Sequence, residues 1–352
     1  MLDRLWKQEL PAEAVLVSSE YNMRYLSGFR GGEGYLFLTP DRSTVIVDSR
    51  YTTQAKEETE DFDVVEIDSG RGFGDVIAEL VRETHTESLL FEEQHLTYGE
   101  VIKLKEKCPV IDWVPAGEIL NRLRAVKTEE ELARIRRAEA IGDMAFQKIL
   151  EELRPGMTEL EVAARLEYHM REAGTAKNSF DTIVASGLHS AMPHAIPSEK
   201  KIEKGDFVTM DFGCIYEGYC SDMTRTVVVG KANEKQKEIY NTVLKAQLAA
   251  IEAVRPGRKG SEVDAVARSI IADAGYGEYF GHGLGHSVGL LIHENPSLSP
   301  KCHVVLQENV IETVEPGIYV PGFGGVRIED LVCVTAEGCE NYTHSPKELI
   351  EL

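Results

Sequence analysis

"RPGMTELEVAARLEYHMREAG" (residues 154–174) and "RPGRKGSEVDAVARSIIADAG" (residues 255–275) are two versions of one pattern, and they decide the fold of this chain. Both run Arg-Pro-Gly, then a helical pattern containing Glu-Val, then Ala-Gly. A long amphipathic helical pattern precedes each, over residues 131–153 and 234–254. Self-similarity at a fixed spacing, here 101 residues, indicates a repeated structural unit. The sequence therefore predicts a domain built from two similar halves.

Each half is followed by a stretch that is typical of two strands around a turn. In the first stretch, a turn centred between residues 216 and 217 would set Asp211 directly opposite Asp222, with their Cβ atoms about 5 Å apart. Two carboxylates in this arrangement destabilise a sheet unless a cation lies between them. The two stretches are "DFVTMDFGCIYEGYCSDMTRTVVVG" (206–230) and "NVIETVEPGIYVPGFGGVRIEDLVCV" (309–334).

The second stretch repeats the arrangement with glutamates. A turn centred on Gly322 would set Glu315 opposite Glu329. A solvated polar face is the simpler explanation of any single acidic pair. Two pairs at matching places of two repeats instead predict a metal site where the halves meet.

Residues 280–296 read "FGHGLGHSVGLLIHENP" and place His282, His286 and His293 among four glycines. Each glycine disfavours a helix by about 1 kcal/mol relative to alanine, so the helical HExxH type of zinc site is excluded here. The segment is predicted to be extended or looped. Two hard cations need more ligands than four carboxylates, and a histidine on this segment could complete the set. The residues alone leave open which of the three histidines does so.

The first third of the chain has a different pattern. Apolar runs at residues 14–18, 35–39, 44–48 and 63–67 predict strands, and residues 74–84 and 98–107 predict helices. A small α/β domain follows from this pattern. It contains no cluster of catalytic residue types, so a structural or oligomerisation role is the simplest interpretation. A length of 352 residues accommodates two domains.

Composition excludes several classes of protein. The net charge of −21 argues against a nucleic-acid-binding surface, which needs clustered lysine and arginine. No stretch of 18 apolar residues occurs, and the first fifteen residues lack the apolar core of a signal peptide. The six cysteines form no CxxC pair, as expected of reduced thiols. A cytoplasmic protein with no membrane segment is predicted.

Five motifs in the last two thirds carry a specific resemblance. The runs "MDFGCIYEGYCSDMTRT", "GHGLGH", "IHENP", "VEPGIY" and "GVRIED" resemble those of the Xaa-Pro peptidases, the aminopeptidase P and prolidase branch of the pita-bread metallopeptidases (family M24). "YLSGF" (25–29) and "DSRY" (48–51) resemble the creatinase-type N-terminal domain of this branch. The resemblance implies an α+β protein, with a creatinase-like α/β domain over residues 1–124 and a pita-bread catalytic domain over 125–352. The pseudo-two-fold catalytic domain would contain two helix–helix–β-hairpin halves.

The same resemblance implies a dinuclear metal centre. Asp222 and Glu329 would bridge two divalent ions, His286 and Glu315 would complete one metal site, and Asp211 would complete the other. Glu315 would also take a proton from the attacking water. One nitrogen among carboxylate donors favours Mn²⁺, with Co²⁺, Fe²⁺ and Zn²⁺ as alternatives.

Four further residues match catalytic positions of the family. His282 and His293 would hydrogen-bond the substrate and the tetrahedral intermediate, and His194 would lie near the proline side of the substrate. Arg327 would orient the site. Glu312 stands where the family usually has a small apolar residue, and strand alternation predicts that it points away from the metals.

The implied activity is hydrolysis of the Xaa-Pro bond at the N-terminus of peptides by a hydroxide that bridges the metals, as in aminopeptidase P. The compact N-terminal domain favours this activity narrowly over a prolidase, which cleaves only Xaa-Pro dipeptides. A methionine aminopeptidase-like enzyme is disfavoured by the N-terminal domain and by "GVRIED". An inactive binding protein on the same fold, or a creatine-type hydrolase, would lack metal ligands that this chain has. The resemblance also implies a homodimer.

Overall fold

Two units with separate cores, Met1–Arg124 and Ala125–Leu352, make up the chain, which the computed structural model describes over all 352 residues. The first unit is a six-stranded mixed sheet in the order β4-β3-β2-β1-β5-β6, with helices packed on it. The elements up to residue 125 are α1 (Leu2–Trp6), β1 (Ala14–Val17), α2 (Glu20–Ser27), β2 (Tyr35–Thr39), β3 (Arg42–Val47), α3 (Thr52–Glu58), β4 (Asp63–Glu66), α4 (Phe73–Glu83), β5 (Ser88–Phe91), α5 (Tyr98–Lys107), β6 (Asp112–Pro115) and α6 (Ile119–Ala125).

All four strands predicted for this unit are present, and so are both helices. Strands β1, β2 and β3 pair antiparallel, whereas β4, β5 and β6 join the sheet in parallel. The sequence patterns did not predict β5 and β6. Each has only four residues and no clear alternation, and β6 ends in proline. The sheet gives the unit its own apolar core, in which Leu16, Phe37 and Leu89 are fully buried.

The first half of the second unit begins with the two predicted helices. Thr128 and Thr158 cap them, and each takes part in a capping box with the glutamate three residues on, which satisfies free N–H groups at the helix start. A short 3₁₀ helix covers Gly187–Ala191. The elements are α7 (Glu129–Glu152), α8 (Glu159–Glu172), β7 (Lys177–Asn178), β8 (Ile183–Ser186), β9 (Phe207–Phe212), β10 (Cys214–Tyr216), β11 (Tyr219–Cys220) and β12 (Met223–Val228).

The second half repeats this order of two helices and a β-hairpin. Each half also has an isolated antiparallel β-bridge at the start of its second helix: Thr158 pairs with Lys201, and Lys259 pairs with Val305. The histidine-rich segment is extended and looped, as predicted. A second 3₁₀ helix covers Gly277–Tyr279, and the remaining elements are α9 (Glu234–Ala253), α10 (Gly260–Asp273), β13 (Gly285–Ser287), β14 (Glu294–Leu298), β15 (Ile311–Val314), β16 (Gly317–Val320), β17 (Gly324–Arg327), β18 (Asp330–Val334) and β19 (Cys339–Asn341).

The first hairpin differs from its predicted register by two positions. Its tip is a two-residue turn, Glu217-Gly218, with φ of 46° and 90°, and positive φ at both positions is characteristic of the type I′ turn that suits twisted strands. This turn lies one residue further along than predicted. The partner of Asp211 is consequently Thr224, and the predicted direct pairing of Asp211 with Asp222 is wrong. Asp222 lies two residues from that partner and therefore on the same face of the hairpin.

The second hairpin has the predicted register. Val314 pairs with Asp330 and Gly317 with Arg327, which centres the turn on residue 322. Glu315 and Glu329 lie opposite each other in the interruption between the two ladders. Because no strand partner binds them there, their backbone N–H groups donate elsewhere, to Leu284 O at 2.8 Å and to Thr224 O at 3.1 Å. The second of these bonds joins the two hairpins.

Candidate metal centre

A cavity of about 620 Å³ opens in the second unit where the two hairpins meet. Apolar side chains, among them Phe180, Ile183, Ile196 and Ile292, form much of its wall. All nine residues predicted for the site also line it, namely His194, Asp211, Asp222, His282, His286, His293, Glu315, Arg327 and Glu329. The fold therefore brings together side chains that are spread over more than one hundred residues of sequence.

Three of the predicted ligands form the tightest group. The ligand atoms of Asp222, His286 and Glu329 all lie within 4.8 Å of one another. His286 Nε2 is 3.5 Å from Asp222 Oδ2 and 3.5 Å from Glu315 Oε1. Asp222 precedes β12, Glu329 precedes β18 and His286 lies on β13, so each half of the unit contributes to the group. Two or three carboxylates with one imidazole are a donor set that divalent transition metals bind.

The electrostatics of this group also fit a cation. Burial raises the pKa of Asp222 well above its ordinary value, and the neighbouring charges of Glu329, Asp211 and Glu315 raise it further. Burial and the same crowding raise the pKa of Glu329 in the same way. Burial raises the pKa of Glu315 to about 8 against the lowering effect of Arg327. Buried carboxylates that repel one another in this way are stabilised by a bound divalent ion.

His286 is prepared to act as a metal ligand. Burial, and next the charge of His293, lower the pKa of His286 to about 4, so the ring is neutral at neutral pH. Its Nδ1 lies 3.1 Å from Ser287 O, a carbonyl that can only accept a hydrogen bond. Nδ1 therefore carries the proton, and the lone pair of Nε2 points toward the carboxylates, which is the arrangement found in metal-bound histidines.

Asp211 has one oxygen in use and one without a partner. Arg327 Nη2 donates to Asp211 Oδ2 at 2.7 Å. The other oxygen, Oδ1, is buried and makes no hydrogen bond. An unpaired buried carboxylate oxygen is costly unless something binds it, and a cation would satisfy it.

Arg327 connects the predicted ligands to two side chains that the sequence patterns did not identify. Its Nε donates to Thr224 Oγ1 at 3.0 Å and its Nη1 to Tyr319 OH at 2.8 Å. Thr224 Oγ1 in turn donates to Glu329 Oε2 at 2.6 Å. Strand alternation could have identified both, since Thr224 is two residues from Asp222 and Tyr319 is four residues from Glu315, a predicted ligand on the same face.

Both ring nitrogens of His282 are engaged by the protein. Nδ1 lies 2.8 Å from Gly283 O and Nε2 lies 2.9 Å from Tyr319 OH. Burial lowers the pKa of His282 to about 4, which keeps the ring neutral. Nδ1 then donates to the carbonyl, and Nε2 accepts from Tyr319. No ring nitrogen of His282 is left to donate to a substrate.

His194 and His293 are the two histidines open to the cavity. Both are exposed, and neither ring makes a hydrogen bond to the protein. The ring of His293 packs edge-on against that of His286, with centroids 4.4 Å apart. Burial and the charge of His194 lower the pKa of His293, whereas Asp211 opposes the shift. Their ring N–H groups are therefore available to an incoming ligand.

A buried ion pair holds the segment that follows His293. Lys127 Nζ lies 3.0 Å from Glu294 Oε2, with the two side chains 1% and 3% exposed. Glu294 Oε1 accepts from Leu291 N at 3.2 Å, so the carboxylate that follows the histidine also contacts the backbone that precedes it. Removing one partner of such a pair leaves an uncompensated buried charge.

Comparison with known proteins agrees with this geometry. The model of "Metallopeptidase family M24" matches residues 133–336, and that of the "Creatinase/Prolidase N-terminal domain" matches residues 4–126. A curated relative, the Xaa-Pro dipeptidase of Pyrococcus furiosus, is 43% identical over 352 residues, with 99% of each chain covered.

Solved structures are similar over the whole length. The Xaa-Pro dipeptidase from Bacillus anthracis is 45% identical, with a TM-score of 0.96 and coverage of 100% of this chain and 99% of that one. The X-Pro aminopeptidase from Thermotoga maritima is 38% identical, with a TM-score of 0.92 and coverage of 97% and 98%. Separately, none of the helices is both long enough and apolar enough to cross a membrane.

Proposed function

The chain belongs to metallopeptidase family M24, and from this membership and the geometry of its cavity we propose that it is an Xaa-Pro dipeptidase dependent on two divalent metal ions. Membership makes it a hydrolase of peptide bonds, with a pita-bread catalytic domain behind a creatinase-type N-terminal domain. One observation carries the proposal: carboxylates from both hairpins converge with a neutral histidine in one buried group. The names of relatives that match the whole chain support the dipeptidase over the aminopeptidase P-like activity that the sequence favoured.

We assign the metal ligands as the family resemblance implies them. Asp222 and Glu329 would bind both ions, His286 and Glu315 one of them, and Asp211 the other. The 3.5 Å distances from His286 to two carboxylates and the unpaired oxygen of Asp211 support this assignment. Mn²⁺ is the proposed native metal because oxygen donors dominate the set. When bound, the ions would supply an activated water and a Lewis acid for the peptide carbonyl.

The remaining side chains would bind and orient the substrate. The open N–H groups of His194 and His293 can donate to the substrate carbonyl and to the oxyanion that develops on it, a contribution typically worth about 10²–10³ in rate. Glu315 can accept the proton of the attacking water. His282 is assigned to holding Tyr319 and, through it, Arg327 and Asp211, rather than to the substrate. This differs from the sequence-based prediction because both nitrogens of His282 are engaged.

A second candidate function, cleavage of longer Xaa-Pro peptides, is favoured by the charges around the cavity. A dipeptidase must bind the free carboxylate of its substrate next to the proline. Arg327 is the only lysine or arginine that lines the cavity, and it already contacts Asp211, Thr224 and Tyr319. A dipeptidase would therefore depend on His194 or His293 for the carboxylate, whereas an aminopeptidase needs no cation there.

A comparison of four substrates tests the proposal. We expect the Mn²⁺-loaded protein to cleave Met-Pro, and to cleave Met-Pro-amide at least tenfold less efficiently in kcat/KM, because the amide lacks the carboxylate. Met-Ala serves as the control for the proline requirement. Cleavage of Met-Pro-amide and Met-Pro-Ala with a kcat/KM comparable to that for Met-Pro would favour the aminopeptidase. No cleavage of any Xaa-Pro substrate with Mn²⁺, Co²⁺, Fe²⁺ or Zn²⁺ would overturn both candidates. The homodimer stays a prediction, which light scattering tests directly.

A further inference from the structure

The loop of residues 187–198 forms one wall of the cavity. Five consecutive residues of this loop, 193–197, line the cavity, and His194 is among them. Much of the loop also faces solvent, since Leu188, Met192 and Ile196 are 64%, 48% and 81% exposed. Burial of apolar side chains therefore contributes little to holding the loop in place, and segments with few buried contacts open easily. Polar contacts must fix it.

Glu159 supplies those contacts from the first residue of α8. Its side chain is fully buried. Oε1 accepts from Ser186 N at 2.7 Å and from Ser186 Oγ at 2.8 Å. Oε2 accepts from Ser198 N at 3.2 Å and from Ser198 Oγ at 2.8 Å. One carboxylate therefore binds the residue directly before the loop and the last residue of the loop.

A fifth donor lies within the loop itself. His189 Nδ1 is 2.9 Å from Glu159 Oε2. Hydrogen bonds to an ionised acceptor are about twice as strong as those between neutral groups. The start of a helix also favours a negative charge. Both effects make Glu159 a strong acceptor for all of its partners.

The middle of the loop is attached to the hairpin that carries Arg327. Ser190 Oγ accepts from Gly325 N at 2.8 Å, and Arg327 Nη1 donates to Pro193 O at 3.4 Å. With its ends held by Glu159, the loop has fixed points on both sides of His194. The orientation of that histidine then depends on a carboxylate that does not itself line the cavity.

We propose that Glu159 is a positioning residue for peptide hydrolysis, which fixes both ends of the loop 187–198 and thereby sets where His194 stands relative to the substrate. This inference rests on the proposed function, because it assigns His194 to the substrate. Glu159 touches neither the substrate nor the metal ligands. Its substitution should therefore leave metal binding unchanged and act on turnover only through the loop.

A double-mutant cycle with His194 tests this dependence, because residues that act through one another are not additive. We expect Glu159→Gln to lower kcat/KM for Met-Pro at least tenfold in the natural protein and less than twofold in the His194→Ala background. Metal content should be the same in all four proteins. Glu161→Ala is the matched control: it removes the capping box of the same helix, makes no contact with the loop, and should leave kcat/KM within twofold.

Equal losses in both backgrounds, or a Glu159→Gln protein within twofold of the natural one, would overturn the inference. If Glu159→Gln fails to fold, Ser198→Ala removes one donor from the loop end and should give the same pattern with about a threefold loss, and additivity there would count equally against it.

Limited proteolysis separates failure of this inference from failure of the proposed function. Glu159→Gln should become sensitive to cleavage near Leu188 and Met192, whether or not the protein hydrolyses Xaa-Pro peptides. Inactivity of the natural protein would contradict the proposed function. Unchanged proteolysis of Glu159→Gln beside the natural protein would contradict the fixing of the loop.

Discussion

The two halves of the second unit begin their second helices with very different residues. Helix α8 starts at Glu159 and α10 starts at Gly260, which are equivalent positions of the repeat. The first half uses the position for a buried carboxylate that binds a loop. The second half has no space for a side chain, because a Cβ on Gly260 would come within 2.1 Å of Ser297 O. The backbones repeat, but the same position serves different purposes.

This difference changes how each half holds its exposed histidine. The loop of His194 is tied by hydrogen bonds to one carboxylate. In the second half, β14 follows His293 directly and packs its backbone against the start of α10. The loop of His194 therefore depends on polar contacts, whereas the segment of His293 is held by close packing together with the buried Lys127–Glu294 ion pair. A repeated fold can become an asymmetric catalytic site by such local exchanges, without any change of topology.

The largest expected effect concerns Asp222 and Glu329, for which the two halves are proposed to play the same part. If Asp222 and Glu329 bind both ions, Asp222→Asn and Glu329→Gln should each lower kcat by about 10³ or more and lose at least one metal, because a shared ligand supports both ions. The two variants should have similar metal contents and similar turnover numbers. Glu340→Gln, an exposed acid on β19, is the control. Two bound metals and normal turnover in either variant would contradict the ligand assignment.

A smaller effect, on the free energy of unfolding, tests the close packing at the start of α10. Gly260→Ala forces a Cβ against Ser297 O and within 3.1 Å of the Cys302 side chain, so we expect it to lower the free energy of unfolding by about 1–3 kcal/mol. Urea unfolding measures this change. Gly281→Ala, where nothing lies within 4 Å of the added Cβ, should cost much less. Equal stability of the two variants would show that close packing does not hold the second half.

The smallest expected effect concerns a third pair of equivalent positions, Val208 and Glu312, which lie three residues before Asp211 and Glu315. Both are fully buried, but neither oxygen of Glu312 has a hydrogen-bond partner. Burial raises the pKa of Glu312 well above its ordinary value, although Lys127 opposes the shift. The folded protein thus keeps a proton that the unfolded chain releases. The stability from this group is complete below the unfolded pKa and is lost as pH rises through the folded pKa.

Glu312→Val, which copies the first half, should remove this dependence. Its stability relative to the natural protein should rise by about 1 kcal/mol between pH 6 and pH 8, within the limit of about 2.8 kcal/mol that one proton can contribute over two pH units. Thermal unfolding at the two pH values measures the change. Glu308→Val, at an exposed position, controls for the loss of a carboxyl. The same pH profile for both variants would contradict the account of Glu312.

The sequence predicted which residues meet in the cavity better than it predicted the contacts that support them. Acidic residues at matching places of two repeats identified both hairpins, and the register of the second was right. The first was wrong by two positions because a tight turn at Glu217 moved its centre by one residue. Strand alternation also predicted that Glu312 faces away from the metals. Alternation alone does not distinguish a side chain that faces solvent from one that faces the core.

Contacts between distant segments were the least predictable. Glu159 follows a capping threonine, so its residue type is explained locally and gives no sign that Ser186 and Ser198 bind it. The engagement of His282 by Tyr319 likewise depends on how β16 lies beside the histidine segment. A one-dimensional pattern reports which face a residue occupies, whereas its partner on another element is set by packing.

The hydrogen bond from Glu329 N to Thr224 O joins two hairpins that the ribosome synthesises at different times. About one hundred residues separate Asp222 from Glu329, so at roughly 5–20 residues per second the ribosome needs about 5–20 s to supply the second carboxylate after the first. Until then the first hairpin holds Asp211 and Asp222 without their counterparts. The complete set of proposed metal ligands is therefore a late product of synthesis, and the nascent first half contains its acidic pair before the other ligands exist.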